Sequence, residues 1–143
     1  MSSVKGFVVK AKLMGVRIRI GLAVSLALTA ALAVAAAPRV LAPAAGGLWE
    51  VSQSATGHNP VKVCVPDVEV LAQFEHRQIN CKRSVTSSTS SSAVIEYQCA
   101  DGGFGRSSMT LITPRSLRID TQGISGNLPF HYKLHARRVA DCR

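Results

Sequence analysis

Residues 46–143 read as a mainly β domain, an antiparallel meander that forms a curved sheet or incomplete barrel with one short helix. Three observations predict this. Short segments alternate apolar and polar residues with period two, as strands with one wet face do. Clusters of Gly, Pro, Asn and Ser separate them at hairpin spacing. Only "PDVEVLAQFEHR" (66–77) has a helical pattern.

The first strand is "GGLWEVSQSA" (46–55), with Trp49 and Val51 on one face. The turn residues of "TGHNP" lead into "PVKVCV" (60–65), where Val61, Val63 and Val65 alternate with Lys62 and Cys64. In the helix, Asp67 and Glu69 lie near the N-terminus, His76 and Arg77 near the C-terminus, all favourable to the dipole. Val70, Leu71 and Phe74 are its expected buried stripe. "QINCKRSVT" and "AVIEYQC" flank the serine-rich "SSTSSS" as a hairpin, and a turn centred on Ser90 would set Cys81 opposite Cys99. "ADGGFGR" reads as a glycine-rich connection, "SSMTLIT" and "SLRIDT" as strands around the turn "TPRS", and "QGISGN" as a loop. Last comes "LPFHYKLHARRV", with Phe130, Tyr132, Leu134 and Ala136 on one face and His131, Lys133, His135 and Arg137 on the other.

The 143-residue chain has a formal charge of +9, which first suggests a polyanion as partner. Residues 1–45, however, hold six basic residues and no acidic one, leaving eleven basic and eight acidic groups for the rest. Nucleic-acid binding therefore loses its main support. The same 45 residues have the anatomy of a signal peptide: a basic stretch, the apolar run from Ile20 to Ala37, then small residues and proline. Ala33-Val34-Ala35 and Ala42-Pro43-Ala44 both fit a peptidase site, with Ala44 favoured. The alternative is an uncleaved anchor, since eighteen residues make about 27 Å of helix, the lower limit for spanning a bilayer. Either way the expected place is periplasmic or secreted, or inner-membrane anchored with the domain outside the cytoplasm.

Four cysteines follow the leader: Cys64, Cys81, Cys99 and Cys142. An exported domain this short buries only about 60–65% of its unfolded surface, so two disulfides are expected. Their gaps of 17, 18 and 43 positions fit neither C-x-x-C nor a zinc ribbon. Cys64–Cys81 with Cys99–Cys142 is the favoured pairing, closing the helical segment and tying the last strand to the middle of the sheet. Cys81–Cys99 with Cys64–Cys142 is the rival.

No catalytic constellation stands out. His131 and His135 lie about 13 Å apart on a strand, too far to share an ion. "GGFGRSS" lacks the lysine and the helix of a phosphate loop, and no G-x-S-x-G elbow occurs. The expectation is thus no enzyme, no cofactor and no metal. Trp49, Phe130 and Tyr132 are candidates to contact an apolar or amphiphilic ligand. Lys133, Arg137 and Arg138 are candidates to face an anion, in lipid or another envelope component. The alternative role is a structural or protein-interaction module.

Gly47-Leu48-Trp49-Glu50-Val51, the four cysteines and Arg138-Val139-Ala140-Asp141-Cys142 occur in an order that resembles a proteobacterial domain-of-unknown-function family. Its members are small secreted proteins that begin G-L-W-E and end R-I-G-D-C. Here Ala140 stands in place of the glycine, and the central loop is serine-rich. The resemblance implies an extracytoplasmic β domain and no assigned activity.

Overall fold

The structure, a computed structural model, describes residues 40–143. Seven strands form one antiparallel sheet: β1 (Ala45–Ser52), β2 (Val61–Asp67), β3 (Cys81–Ser88), β4 (Ser92–Cys99), β5 (Phe104–Thr113), β6 (Ser116–Ser125) and β7 (Leu128–Ala140). Their order is β2-β1-β7-β6-β5-β4-β3, curled into a half-barrel. Strands β3 to β7 are the expected meander, and the β1–β2 hairpin adds to its β7 side. The two edge strands, β2 and β3, are consecutive in sequence. The segment joining them therefore traverses the sheet from one edge to the other, and it carries the helix (Val68–His76).

That helix is 3-10 rather than α, with a kink at Gln73 (φ −97°, ψ 33°). Asp67 caps it, its carboxylate accepting from the Val70 amide at 3.2 Å. A 3-10 helix turns every three residues, so Val68, Leu71 and Phe74 share the buried side while Val70 is only partly covered. They pack with Trp49, Val51, Ile95, Met109, Leu117, Ile119 and Leu134 from the inner face of the sheet. Alternation holds throughout: the inner residues of β4 to β7 are buried or half-buried, and their neighbours point outward.

Three expectations need correction. Strand β6 runs on through "QGIS", and the turn is only Gly126-Asn127, with φ of 55° and 64°. Two left-handed residues in succession make the tight turn whose twist suits a hairpin. Second, the core begins before residue 46. Leu41 is 2% exposed and packs with Val40 and Ala44 in the same cluster as Trp49. The rest of the expected leader lies outside the described residues. Among the described residues no helix is long and apolar enough to cross a membrane.

Third, the disulfides are Cys64–Cys142 and Cys81–Cys99, not the favoured pair. Cys64 is on edge strand β2 and Cys81 on the opposite edge strand β3, so they cannot meet. Cys81 instead lies directly opposite Cys99 in the β3–β4 register. Strand β1 is sandwiched between β2 and β7, and Leu48 pairs with both Cys64 and Ala140. The Cys64–Cys142 bond consequently straddles β1 and ties the chain end down.

Candidate functional site

Most of the inner face of the sheet is covered by the helix and the core packed against it, leaving a depression of about 450 Å³ beside Phe74, Glu75 and Tyr132. Trp49, expected to meet a ligand, is 0% exposed and belongs to the core; its Nε1 is buried with no partner. Tyr132 is half-buried, and its hydroxyl donates to Glu75 Oε2 at 2.6 Å. Burial, then that carboxylate, hold its phenol protonated far above the usual tyrosine range. Phe130 leans on Tyr132 (centroids 5.6 Å apart) and on His76 (6.0 Å). The three expected ligand contacts do not converge: Trp49 is sealed in the core, Tyr132 borders the depression with Phe74 and Glu75, and Phe130 lines an apolar depression beside Phe104.

A glycine pair explains this aromatic packing. Gly105 and Gly123 face each other across β5 and β6, and their rung continues to Tyr97 and Phe130. A side chain on Gly105 would strike the Tyr97 phenol; one on Gly123 would strike the Phe104 carbonyl and crowd the Phe130 ring. The missing side chains let both rings lie inward, with His76 against each. Burial, with a smaller push from the Glu75 charge and against a hydrogen bond from Thr121, raises the Tyr97 phenol to about 12.

The three candidate anion-facing residues are also separated. Lys133 and Arg137 lie on the outer face, paired with Asp120 at 3.6 Å and Glu50 at 3.1 Å. Arg138 turns away from them. Its Nε donates to the Gly46 carbonyl at 2.7 Å and its guanidinium pairs with Asp141. Strand alternation places it on the face opposite Lys133 and Arg137, where it pairs in register with Trp49.

What the outer face does hold is a two-part groove across β5, β6 and β7, made of four rungs. Thr110, Arg118 and His135 form the first, and Ser108, Asp120 and Lys133 the second. Arg106, Gln122 and His131 form the third, and Phe104, Ile124 and Pro129 the fourth. From Thr110 to Phe104 the groove runs about 20 Å along the strand. The first two rungs with Arg106 and Gln122 line a polar depression of about 560 Å³. The last two rungs with the Tyr97 and Phe130 rings line an apolar one of about 620 Å³, so Arg106 and Gln122 are shared. Phe104 is 50% exposed. Arg106 rests on Glu96 at 3.4 Å and His131 on Asp120 at 2.9 Å, both in the open. Arg118 forms no ion pair among the described residues. Three cations, Arg106, Arg118 and Lys133, thus surround the single carboxylate of the polar half, Asp120.

Sequence reading missed Phe104 and Ile124 because each sits beside glycines in a segment that looks like a loop. Only the Gly105–Gly123 pairing shows those glycines to be strand positions. Arg118 was legible as an outward residue of "SLRIDT", but its neighbours across the sheet were not.

A family model described as "Protein of unknown function (DUF3617)" matches residues 41–142, nearly all of the described chain. The chain belongs to this family. Searches of curated proteins and of solved structures return no match. In this DUF3617 domain the residues behind the resemblance are structural. Gly47, at φ 139°, leaves room for the Arg138 guanidinium, which any side chain there would strike. Trp49 fills the core, and Cys142 locks the end that Arg138 and Asp141 have folded against β1. The match begins at Leu41, inside the Val40, Leu41 and Ala44 group that packs with Trp49.

Proposed function

We propose that this DUF3617 domain is a non-enzymatic, exported module of the cell envelope that binds an anionic amphiphile on its outer sheet face. The observation that carries this is the adjoining pair of depressions, cationic and apolar, which share Arg106 and Gln122. An acidic headgroup would lie against Arg106, Lys133 and Arg118, with the Ser108 and Thr110 hydroxyls as donors. The apolar body would cover Phe104, Ile124 and Pro129. Exposed ion pairs such as Arg106–Glu96 contribute little and are easily exchanged for a ligand anion. Two disulfides favour an oxidising compartment, in agreement with a leader that is removed on export.

The test is calorimetric titration with dodecyl phosphate below its micelle concentration, beside neutral dodecyl maltoside. Dodecyl phosphate should bind more tightly, Arg118→Glu and Phe104→Ser should each weaken it at least tenfold, and the fold should be unaffected. Equal affinity for the two detergents, or an unchanged Phe104→Ser variant, would refute the reading. A second reading is a protein-interaction module, supported by edge strand β3, exposed from Lys82 to Ser88 with no neighbouring strand on its outer side among the described residues. Cross-linking in the native envelope would then trap a partner through β3, and recovery of monomer alone would sink it.

A further inference from the structure

We propose that reduction of the Cys81–Cys99 disulfide opens a binding site for a divalent cation of the zinc class, held by Cys81, Cys99, His76 and Asp101. The site lies at the end of the sheet where β3 starts and β4 stops, next to the Phe104 end of the outer groove but sharing no residue with it.

Each ligand is placed for a separate reason. His76 ends the 3-10 helix and is 2% exposed. Its Nδ1 is 3.4 Å from the Tyr97 hydroxyl, while its Nε2 is buried with no hydrogen-bond partner among the described residues. With the Nδ1 proton directed at Tyr97, Nε2 carries a bare lone pair, the arrangement of a metal-binding imidazole held by a second hydrogen bond. Asp101 sits in the turn from β4 to β5. There the Gly102 amide donates to the Cys99 carbonyl at 3.1 Å and the Cys99 amide to the Gly103 carbonyl at 2.8 Å. The Asp101 carboxylate folds back to accept from the Gly103 amide at 2.9 Å. Gly103 has to be glycine here: a Cβ would run into His76 Nε2 and crowd Asp101 Oδ1.

The donor atoms of His76, Cys99 and Asp101 lie within 4.8 Å of one another, the one such group among the described residues. Cys81 contributes the second sulfur, bonded to Cys99. Tetrahedral zinc, with bonds of about 2.0–2.3 Å, spaces its ligands roughly 3.3–3.8 Å apart, so a contraction of about an ångström brings His76, Cys99 and Asp101 together. Cys81, once its bond to Cys99 is cut, has to part from it to become the fourth ligand. Only thiolates ligate, so the oxidised pair holds the site shut. A dithiol reductant opens it: two electrons and two protons pass to the disulfide, giving two thiols, and the dithiol leaves as its own disulfide. Binding the cation then releases the two thiol protons to solvent.

The test uses the exported domain reduced with a trialkylphosphine, which takes oxygen from water to become its oxide and adds no thiol. Cobalt(II) is titrated in, followed by its thiolate charge-transfer and ligand-field bands, and then displaced with zinc. One cobalt per chain in a tetrahedral two-thiolate site is expected from the reduced protein, and none from the oxidised. A Cys81→Ser, Cys99→Ser control, reduced in the same way and retaining Cys64 and Cys142, should show no such site. Asp101→Asn retains the turn acceptor and should weaken binding about tenfold or more, by comparison with lesser outer-shell changes. His76→Gln should weaken it further. If that variant does not fold, the nitrogen NMR shift of His76 Nε2 in the natural chain decides, and should move when zinc is added. Zinc should also raise the unfolding midpoint of the reduced domain, read from Trp49 emission. No uptake, an Asp101→Asn variant that binds as well as the natural chain, or an unmoved Nε2 would overturn the proposal.

Discussion

Removing the two disulfides separately should cost different amounts, the outer one more. Cys64–Cys142 closes a loop with a sequence separation of 78, against 18 for Cys81–Cys99. If a crosslink acts by restricting the unfolded chain, the stabilisation grows with the logarithm of loop length. At 25 °C that gives about 4.5 kcal/mol for the long loop and about 3.2 kcal/mol for the short one. With an m-value near 2 kcal/mol/M, the two double-serine variants should differ in urea midpoint by roughly 0.6 M. The protein supplies its own reporter, because Trp49 is its single tryptophan and is fully buried. Urea unfolding followed by its emission compares Cys64→Ser, Cys142→Ser with Cys81→Ser, Cys99→Ser directly. The long bridge has a local role as well, since it straddles β1 and anchors residues that follow β7. Hydrogen exchange should therefore rise first at the end of β7 when it is cut. A larger loss from the Cys81–Cys99 deletion would refute the loop-entropy argument and place the stabilisation in native contacts of the β3–β4 hairpin.

Three more outcomes are expected. Gly105→Ala drives a methyl into the Tyr97 ring and should destabilise by about 1–3 kcal/mol as an overpacked core does, measured by the same unfolding assay; no loss would contradict the inward seat of Tyr97. Because the Tyr97 phenol is raised to about 12, the folded state keeps a proton that the unfolded state gives up near 10. The stability from this group is complete below pH 10 and is lost as pH rises towards 12. Phenolate absorbance should accordingly appear together with unfolding, and ionisation of both tyrosines in a folded protein would count against their burial. Finally, if the leader is removed, intact-mass analysis of the protein from its native cells should find its N-terminus upstream of Val40, in keeping with the site at Ala33-Val34-Ala35. A cut after Ala44 would strip Leu41 from the core, so a stable mature protein beginning at Ala45 would refute this placement.

Local patterns were enough to predict that all seven strands exist, though not where each of them ends, since period-two alternation depends only on which face of a residue is wet. The last strand shows it most clearly: Phe130, Tyr132, Leu134 and Ala136 all turn inward, as the sequence predicts. The helix was placed correctly to within two residues at its start, but its 3-10 winding was not legible. That winding is decided by what Val68, Leu71 and Phe74 pack against. The loops that turned out to be strands, around Phe104 and Ile124, were misread because glycine signals flexibility in isolation. Facing another glycine beneath two aromatic rings, it signals close packing instead.

The sequence by itself determined a small disulfide-bearing antiparallel β domain, because alternation, turn chemistry and cysteine number are properties of neighbouring residues. Only the tertiary structure decided which cysteines join, that Trp49 belongs to the core, that Arg138 clamps β1, and that His76 reaches Asp101 and Cys99. The physical reason is shared by all four. Each depends on strand order, and that order places β1 between β2 and β7 and parts β2 from β3 by the full width of the sheet. Contacts between residues so distant in the chain follow from the sheet they jointly build, which no local stretch of sequence encodes.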